Sequence, residues 1–136
     1  MTSTLIGLVL SLFGGNEIVY AQEPEQPKVI QIQEVWAPES IDKEIEKQAQ
    51  AYNVSAAVMR KVIKCESNGS TTIQSYHKRP DGTREQSFGL VQIHLPDWPN
   101  ITKEQAIDPR FAIHFLAEKL SEGRGYLWTC YRKMGA

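Results

Sequence analysis

The chain has 136 residues, of which 41% are hydrophobic and 23% are charged. That length fits one domain with a hydrophobic core of its own. The 15 basic and 16 acidic residues leave a formal net charge of −1, which excludes the strongly basic composition of a dedicated nucleic-acid binder.

Residues 1–21 carry the pattern of a secretory signal peptide. Residues 4–13 are almost wholly apolar, and this segment is too short to span a bilayer as a mature helix. Val19 and Ala21 supply the small residues that precede a cleavage site, so cleavage is predicted after Ala21. No Lys or Arg precedes the apolar segment, and an uncleaved membrane anchor or an N-terminal helix of the fold is the alternative. The prediction is a secreted or periplasmic protein of the cell envelope, without stable membrane insertion after cleavage.

Residues 22–38 are predicted to form a linker or an extended arm. The stretch 22–27 is polar and interrupted by prolines, a composition that cannot bury much surface. Residues 29–36 alternate weakly between apolar and polar, which fits a short strand or an arm packed on the domain. Cleavage of the signal peptide removes the acidic Glu17 and no basic residue, so the mature chain is formally neutral.

Residues 39–136 are predicted to form a small, mainly α-helical domain. Apolar residues recur every three or four positions between residues 40 and 52, which predicts a first helix. Ser55 is the predicted N-cap of a second helix, which ends near Glu66. A last short helix is predicted over residues 126–133.

Two start signals predict helices in the second half of the domain. Thr102 and Gln105 form a predicted capping box, and Asp108 is a predicted N-cap followed by Pro109 at the first helical position. Strand signals are weak apart from a short hairpin predicted around residues 80–82. The helix that starts at Pro109 is predicted to end at Gly123 or Gly125. Its predicted inward-facing residues are Ala112, Phe115, Leu116 and Leu120.

Glu66 is the strongest candidate for a catalytic residue. It shares one helix face with Met59, Val62 and Ile63, so its carboxyl group is expected to point toward the core or a cleft. Burial disfavours the charged form, and the partial negative charge at a helix C-terminus acts in the same direction, so its pKa is expected to rise. Such a glutamate can hold a proton near neutral pH and donate it to a glycosidic oxygen. The alternative is an ordinary surface glutamate at a helix end.

A second segment with its own chemistry spans residues 87–93, Ser-Phe-Gly-Leu-Val-Gln-Ile. Gly89 allows a backbone to approach a ligand closely. Ser87 and Gln92 are polar groups that can hold a carboxylate or a sugar amide in place. Leu90 and Ile93 are expected to be buried and to anchor the segment in the core. The alternative is a buried turn without a ligand.

The Glu66-Ser67 pair at a helix end, followed by S-x-G-L-x-Q-I at residues 87–93, resembles the catalytic core of the soluble lytic transglycosylases. These lysozyme-like enzymes cleave the glycan strands of bacterial peptidoglycan, and the likeness covers roughly residues 55–120. The resemblance implies a small lysozyme-like helical domain that acts as a monomer on peptidoglycan without a cofactor. It also implies Glu66 as the catalytic acid/base, and Ser87, Gly89 and Gln92 as substrate-binding residues.

One stretch departs from the family pattern. The family has an A-Y-N-A-G stretch after its third helix, whereas residues 125–131 read Gly-Tyr-Leu-Trp-Thr-Cys-Tyr. A tyrosine near the catalytic acid could come from Tyr131 or Tyr126, and Tyr131 is the predicted substrate-binding residue. The departure concerns the efficiency and the product of the reaction more than the fold.

The number of catalytic carboxylates separates two reactions. Lysozyme-type hydrolysis commonly uses two. The transglycosylases that this chain resembles use one, which protonates the leaving oxygen and then deprotonates the muramic 6-hydroxyl, so that an anhydro-muramic end forms. A second acid for hydrolysis could be Asp81, Glu85 or Asp97, although each is more typical of a loop residue. Two non-enzymatic hypotheses also stay open, a catalytically weak wall-binding module on the same fold and a helical secreted protein without a sugar site.

The two cysteines of this predicted exported chain invite a disulfide. A bridge between Cys65 and Cys130 would tie the catalytic helix to the chain end and stabilise the fold by roughly 4 kcal/mol on a loop-entropy estimate. Two free buried thiols are the alternative. The three histidines share no ligand spacing with one another or with the cysteines, so no metal site is predicted at His77, His94 or His114.

Basic and aromatic residues give two weaker signals. The segment from Arg60 to Arg84 contains six basic residues and only two acidic ones. This excess of positive charge fits either a mildly basic cleft that binds an anionic polymer or a solvated surface without a role. Trp98 and Trp128 could stack on sugar rings, although tryptophans in a small domain more often belong to the core.

Overall fold

Residues 36–135 are described by a computed structural model, and within them lie five α-helices and a two-stranded sheet. The domain is therefore mainly helical, as the sequence predicts. The predicted signal peptide and residues 22–35 of the predicted arm lie outside this range. None of the helices in residues 36–135 has the length and apolar character needed to cross a membrane.

Helix α1 spans Pro38–Tyr52 and helix α2 spans Ala56–Ser67. The first helix begins two residues before the predicted start because Pro38 already has the backbone angle that a first helical turn needs. The predicted N-cap of α2 is confirmed, since Oγ of Ser55 accepts a hydrogen bond from the backbone N–H of Val58 at 3.2 Å. The two helices pack against each other, and the first also packs against the helix Pro109–Ser121 and the second against the helix Thr129–Lys133.

A small hairpin follows α2. Strand β1 (Ser87–Phe88) pairs antiparallel with strand β2 (Ile93–His94). The connecting turn contains two residues with left-handed backbone, Gly89 at φ 79° and Gln92 at φ 50°, and the N–H of Gln92 donates to the carbonyl of Gly89 at 3.2 Å. The turn therefore folds the chain sharply back on itself.

A second hairpin lies before β1, where the sequence predicts one around residues 80–82. The N–H of Arg79 donates to the carbonyl oxygen of Thr83 at 2.8 Å, and Lys78 forms an antiparallel bridge with Arg84. This hairpin prediction is confirmed. The hairpin stem also continues into β1, because the N–H of Ser75 donates to the carbonyl oxygen of Ser87 at 2.9 Å.

Helices α3 (Lys103–Ile107) and α4 (Pro109–Ser121) begin where the sequence predicts. The capping box of Thr102 and Gln105 is present, with both reciprocal hydrogen bonds formed. Oδ1 of Asp108 accepts a hydrogen bond from the N–H that follows Pro109, at 2.9 Å. Both predicted caps are therefore confirmed.

The C-terminal segment differs from its prediction in extent. Gly123, at φ 73°, closes the end of α4 by donating its N–H to the carbonyl oxygen of Leu120. A 3₁₀ turn covers Gly125–Leu127, and helix α5 spans only Thr129–Lys133. The predicted single helix over residues 126–133 is interrupted because Trp128 has an extended backbone that places its ring in the core.

The core lies between α1, α2, α4 and the β1–β2 hairpin. Leu90 and Ile93, predicted to be buried, are 0% and 2% exposed. Nε1 of Trp128 donates to the carbonyl oxygen of Val91 at 2.8 Å, which ties the start of α5 to the hairpin turn. The largest fully buried side chains are Met59, Val62, Leu90, Val91, Ile113 and Leu116. The core thus holds the β1–β2 hairpin and the start of α5 in fixed positions beside α2.

Candidate active site

Glu66 lies in the last turn of α2 and is half-buried. The residues that share its helix face are Met59, Val62 and Ile63, and all three are buried. The backbone N–H of Cys130, in the first turn of α5, donates a hydrogen bond to Oε1 of Glu66 at 3.3 Å. The carboxyl group therefore lies between the end of α2 and the start of α5.

The surroundings of Glu66 raise the pKa of its carboxyl group above the ordinary value. Burial is the largest cause, because a charged carboxylate loses hydration there. The Cys130 N–H and the positive charge of Lys133 lower the pKa, and the negative charge of Glu85 raises it. The balance is upward, as the sequence predicts, so the protonated form persists to higher pH than in a free glutamate.

The disulfide between Cys65 and Cys130 is present, with 6.0 Å between the two Cα atoms. It joins α2 to α5 at the residue directly before Glu66. The same cysteine that donates its N–H to Glu66 therefore also supplies half of the bridge. The predicted pairing is confirmed, and the hypothesis of two free thiols is wrong.

Ser87 lies inside the hairpin and is 3% exposed. Its Oγ donates to Oε1 of Glu85 at 2.8 Å and lies 3.1 Å from Nδ1 of His94. Among the described residues it makes no hydrogen bond to Glu66. The Ser87 hydroxyl therefore holds its neighbours Glu85 and His94.

Gln92 fastens the hairpin turn. Its side-chain Nε2 donates to the carbonyl oxygens of Ile73 and Gly89, at 3.1 and 3.0 Å. No hydrogen bond joins it to Glu66 within residues 36–135. The side chain thus ties the turn to the segment that follows α2, and the predicted contact of Gln92 with substrate stays a prediction.

Gly89 approaches a backbone within the protein. A Cβ atom at this position would lie 2.0 Å from the carbonyl oxygen of Ala106 in α3. The positive φ of 79° adds a second reason for glycine. The close approach at Gly89 is to the backbone of α3, and its predicted approach to a ligand stays a prediction.

The sequence suggests that Glu85 is an ordinary loop residue, but three side chains hold its carboxylate in the structure. Its Oε1 accepts the Ser87 hydroxyl at 2.8 Å and lies 3.4 Å from Nδ1 of His94, and its Oε2 accepts the Ser75 hydroxyl at 3.3 Å. Glu85 and Ser87 are two residues apart in an extended segment, a spacing that places both on one face. That spacing could have identified the pair from sequence alone.

This cluster is not arranged as a nucleophilic triad. Ser87 and Glu85 both contact the same ring nitrogen of His94, Nδ1. A triad needs the serine and the acid on opposite nitrogens, so that the imidazole can accept the serine proton while the acid orients the ring. The cluster therefore serves to hold the Glu85 carboxylate in one orientation.

The two candidate tyrosines lie in different surroundings. Tyr126 is 58% exposed, whereas Tyr131 is half-buried and packs against the core. The Tyr131 ring lies on Gly125 so closely that a Cβ there would be 2.4 Å from a ring atom. Tyr131 also follows Cys130, the residue that contacts Glu66, so it is the better placed of the two.

The two tryptophans and Asp81 make their contacts within the protein itself. Trp128 is 5% exposed, and half-buried Trp98 packs edge-on against Phe115 with 5.0 Å between ring centroids. Oδ1 of Asp81 accepts hydrogen bonds from the backbone N–H and the hydroxyl of Thr83 in the hairpin turn.

Within residues 36–135, no group of three or more His, Cys, Asp or Glu side chains is arranged to hold a metal ion.

Comparisons of the chain with protein-family models, with curated proteins and with solved structures found no match. The likeness to lytic transglycosylases rests on the residues of this chain alone, namely the Glu66-Ser67 pair and the segment 87–93.

Proposed function

We propose that this protein is an exported enzyme that cleaves the glycan strands of peptidoglycan, with Glu66 as its acid/base. The observation that carries the proposal is the half-buried carboxyl group of Glu66, whose pKa is raised and whose position is fixed by the Cys130 N–H. A group with a raised pKa and a fixed position meets the two requirements of a general acid.

The hydrogen bond at Glu66 also assigns its two oxygens. Because the Cys130 N–H is donated to Oε1, the neutral group is favoured with carbonyl character at Oε1 and the proton on Oε2. Oε2 has no protein hydrogen-bond partner within the described residues. It is the oxygen that would donate a proton to the glycosidic oxygen of the substrate.

The reaction proposed first is lytic transglycosylation. Oε2 of Glu66 gives its proton to the bridging oxygen as the bond from the muramic anomeric carbon breaks. The resulting carboxylate then takes the proton of the muramic 6-hydroxyl, whose oxygen bonds to the anomeric carbon. The products are an anhydro-muramic end and a free hydroxyl on the leaving sugar. One carboxyl group performs both proton transfers, and no cofactor is needed.

Hydrolysis is a second candidate, and Glu85 favours it. Two hydroxyl groups and an imidazole hold its carboxylate, and its charge acts on Glu66. In this reaction Glu85 takes a proton from water, the water oxygen bonds to the anomeric carbon, and Glu66 protonates the leaving oxygen. The product is a reducing end. A wall-binding module without catalysis would give neither product.

One experiment separates these outcomes. Purified peptidoglycan is digested with the exported protein, and the fragments are analysed by mass spectrometry. Anhydro ends support transglycosylation, reducing ends support hydrolysis, and intact strands contradict both enzymatic proposals. Glu66→Gln is the test variant, and Glu39→Gln, an exposed glutamate in the first turn of α1, is the matched control.

A further inference from the structure

His94 is the second residue of strand β2, and it lies directly opposite Ser87 in strand β1. Nδ1 of its ring lies 3.1 Å from Oγ of Ser87 and 3.4 Å from Oε1 of Glu85. The His94 side chain is 32% exposed. The imidazole is therefore held by its neighbours on one side, while part of it remains in contact with solvent.

The hydrogen bonds around Ser87 assign a proton to Nδ1 of His94. An ionised carboxylate only accepts hydrogen bonds, so the single hydroxyl proton of Ser87 is donated to Oε1 of Glu85, at 2.8 Å. The Ser87 oxygen is then the acceptor in its contact with the ring, and Nδ1 is the donor. Nδ1 therefore carries a hydrogen in both the neutral and the charged imidazole, and the proton that is gained or lost is the one on Nε2.

Nε2 of His94 has no hydrogen-bond partner among residues 36–135. A proton taken up there from solvent changes the charge of the ring and leaves the contacts of Nδ1 as they are. When the imidazole is charged, Glu85 and His94 together are neutral. When the imidazole is neutral, the two residues together carry the negative charge of Glu85.

The charge of this pair acts on the proposed catalytic group. The negative charge of Glu85, from the hairpin, raises the pKa of the Glu66 carboxyl group, and the positive charge of Lys133, from α5, lowers it. Within the described part of the chain, Glu85 is the charged group that contacts His94. A proton on His94 therefore offsets the charge that favours the protonated form of Glu66.

We propose that His94 is a positioning residue that sets the charge beside Glu66. Its Nδ1 holds Ser87 and Glu85 in the same geometry in both forms of the ring, and a proton on Nε2 cancels the negative charge of Glu85. The proposal rests on the proposed function, because it concerns the same acid/base. A charged His94 favours the carboxylate form of Glu66, which the second proton transfer needs, and a neutral His94 favours the protonated form.

The proposal requires that the ring is charged at pH values at which Glu66 begins to ionise. The ordinary ranges of the two kinds of group fit that order, because an imidazole titrates near pH 6.5 and a carboxyl group near pH 4. The titrations of His94 and Glu66 are then coupled, so each group responds to the proton of the other.

The test variant is His94→Asn. Its amide nitrogen stands at the same distance along the side chain as Nδ1 and can donate the same hydrogen bond without carrying a charge. The Glu85 charge then stays uncompensated, so the fall of kcat/KM with rising pH should move to higher pH by about half a pH unit, the order expected for one charge acting across a partly solvated site. Glu85→Gln removes the other charge of the pair and should move the fall in the opposite direction, which a change of packing alone would not do.

The matched control is His77→Asn. His77 belongs to the same hairpin, and its carbonyl oxygen accepts the Glu85 N–H at 2.8 Å, but its exposed ring makes no hydrogen bond or ion pair within residues 36–135. Its pH profile should coincide with that of the wild type. A His94→Asn profile that stays with the wild type or moves to lower pH would overturn the proposal, as would an equal shift in the control.

An NMR titration of the wild-type protein tests the coupling without cleavage and without a variant. The resonance of the Glu66 carboxyl carbon is followed as the pH is raised, together with a ring carbon of His94. The Glu66 resonance should show a second inflection at the pH at which the His94 ring loses its proton. A Glu66 resonance that does not respond at that pH would overturn the proposal.

The failures of the two proposals have different signatures. If the exported protein cleaves no peptidoglycan, the proposed function is wrong, and the NMR titration still decides whether His94 and Glu66 are coupled. If it cleaves peptidoglycan and the Glu66 resonance does not respond to His94, only the inference about His94 is wrong.

Discussion

Glu66 and Cys130 are separated by 64 positions in the sequence, and a hydrogen bond from the Cys130 N–H to Oε1 of Glu66 joins them. The disulfide from Cys130 to Cys65 fastens the same two segments a second time. A side chain at the end of a helix ordinarily has freedom to move. Here the chain segment that contacts Glu66 is covalently held, so the orientation of the carboxyl group depends on the bridge.

Glu66→Gln should lower the cleavage rate by at least about a hundredfold, the usual contribution of an acid/base group. Because burial raises the pKa of Glu66, its charged form is disfavoured in the folded state. The glutamine variant should therefore match or exceed the wild-type melting temperature near neutral pH. That difference should vanish below the ordinary carboxyl pKa, where Glu66 is protonated in both states. Near-normal cleavage by this variant would contradict the assignment.

The pH dependence of kcat/KM should move in opposite directions in two variants. Cleavage needs protonated Glu66, so activity should fall as the pH rises through the raised pKa of this group. Glu85→Gln removes a charge that raises this pKa and should shift the fall to lower pH. Lys133→Gln removes a charge that lowers it and should shift the fall to higher pH. Shifts in the same direction would show that another group controls the profile.

Loss of the disulfide should affect stability and activity together. The double variant Cys65→Ser, Cys130→Ser should lose up to about 4 kcal/mol in free energy of unfolding on a loop-entropy estimate. Denaturant unfolding measures this loss. At a temperature where the variant remains folded, its kcat should also fall, because the N–H that contacts Glu66 is no longer held. Unchanged kcat under those conditions would limit the bridge to a stabilising role.

Two glycine variants separate a steric clash from backbone strain. Gly82 and Gly89 have similar positive φ values of 83° and 79°. A Cβ at Gly82 meets nothing within 4 Å, whereas one at Gly89 would lie 2.0 Å from the carbonyl oxygen of Ala106. Gly82→Ala should cost about 1 kcal/mol for the backbone alone. Gly89→Ala should cost clearly more, and equal melting temperatures for the two variants would contradict the close packing.

The features that the sequence predicts correctly are those that depend on local chemistry. The caps at Ser55, Thr102 and Asp108 need only neighbouring residues, and the burial of Glu66 follows from the helical period of α2. The disulfide is predictable because the chain has only two cysteines. These signals require no knowledge of how distant segments meet.

The features that the sequence does not predict depend on tertiary packing. The partner of Gly89 is the backbone of α3, which a local pattern cannot place beside the hairpin. Gln92 donates to Ile73 and Gly89 from a left-handed backbone that a glutamine rarely adopts. The cluster around Glu85 depends on the register that sets Ser87 opposite His94. Each of these is fixed by contacts between segments whose relative positions only the folded chain defines.

The separation of Glu66 and Cys130 by 64 positions has a consequence for timing. During synthesis Glu66 emerges well before the segment that completes its surroundings, so an unfinished chain lacks both the N–H donor and the bridge. Oxidation of the two thiols then completes the surroundings of Glu66, and the predicted export would place this step in an oxidising compartment. A chain truncated after Trp128 should accordingly cleave no peptidoglycan, and full activity of that chain would contradict this order of events.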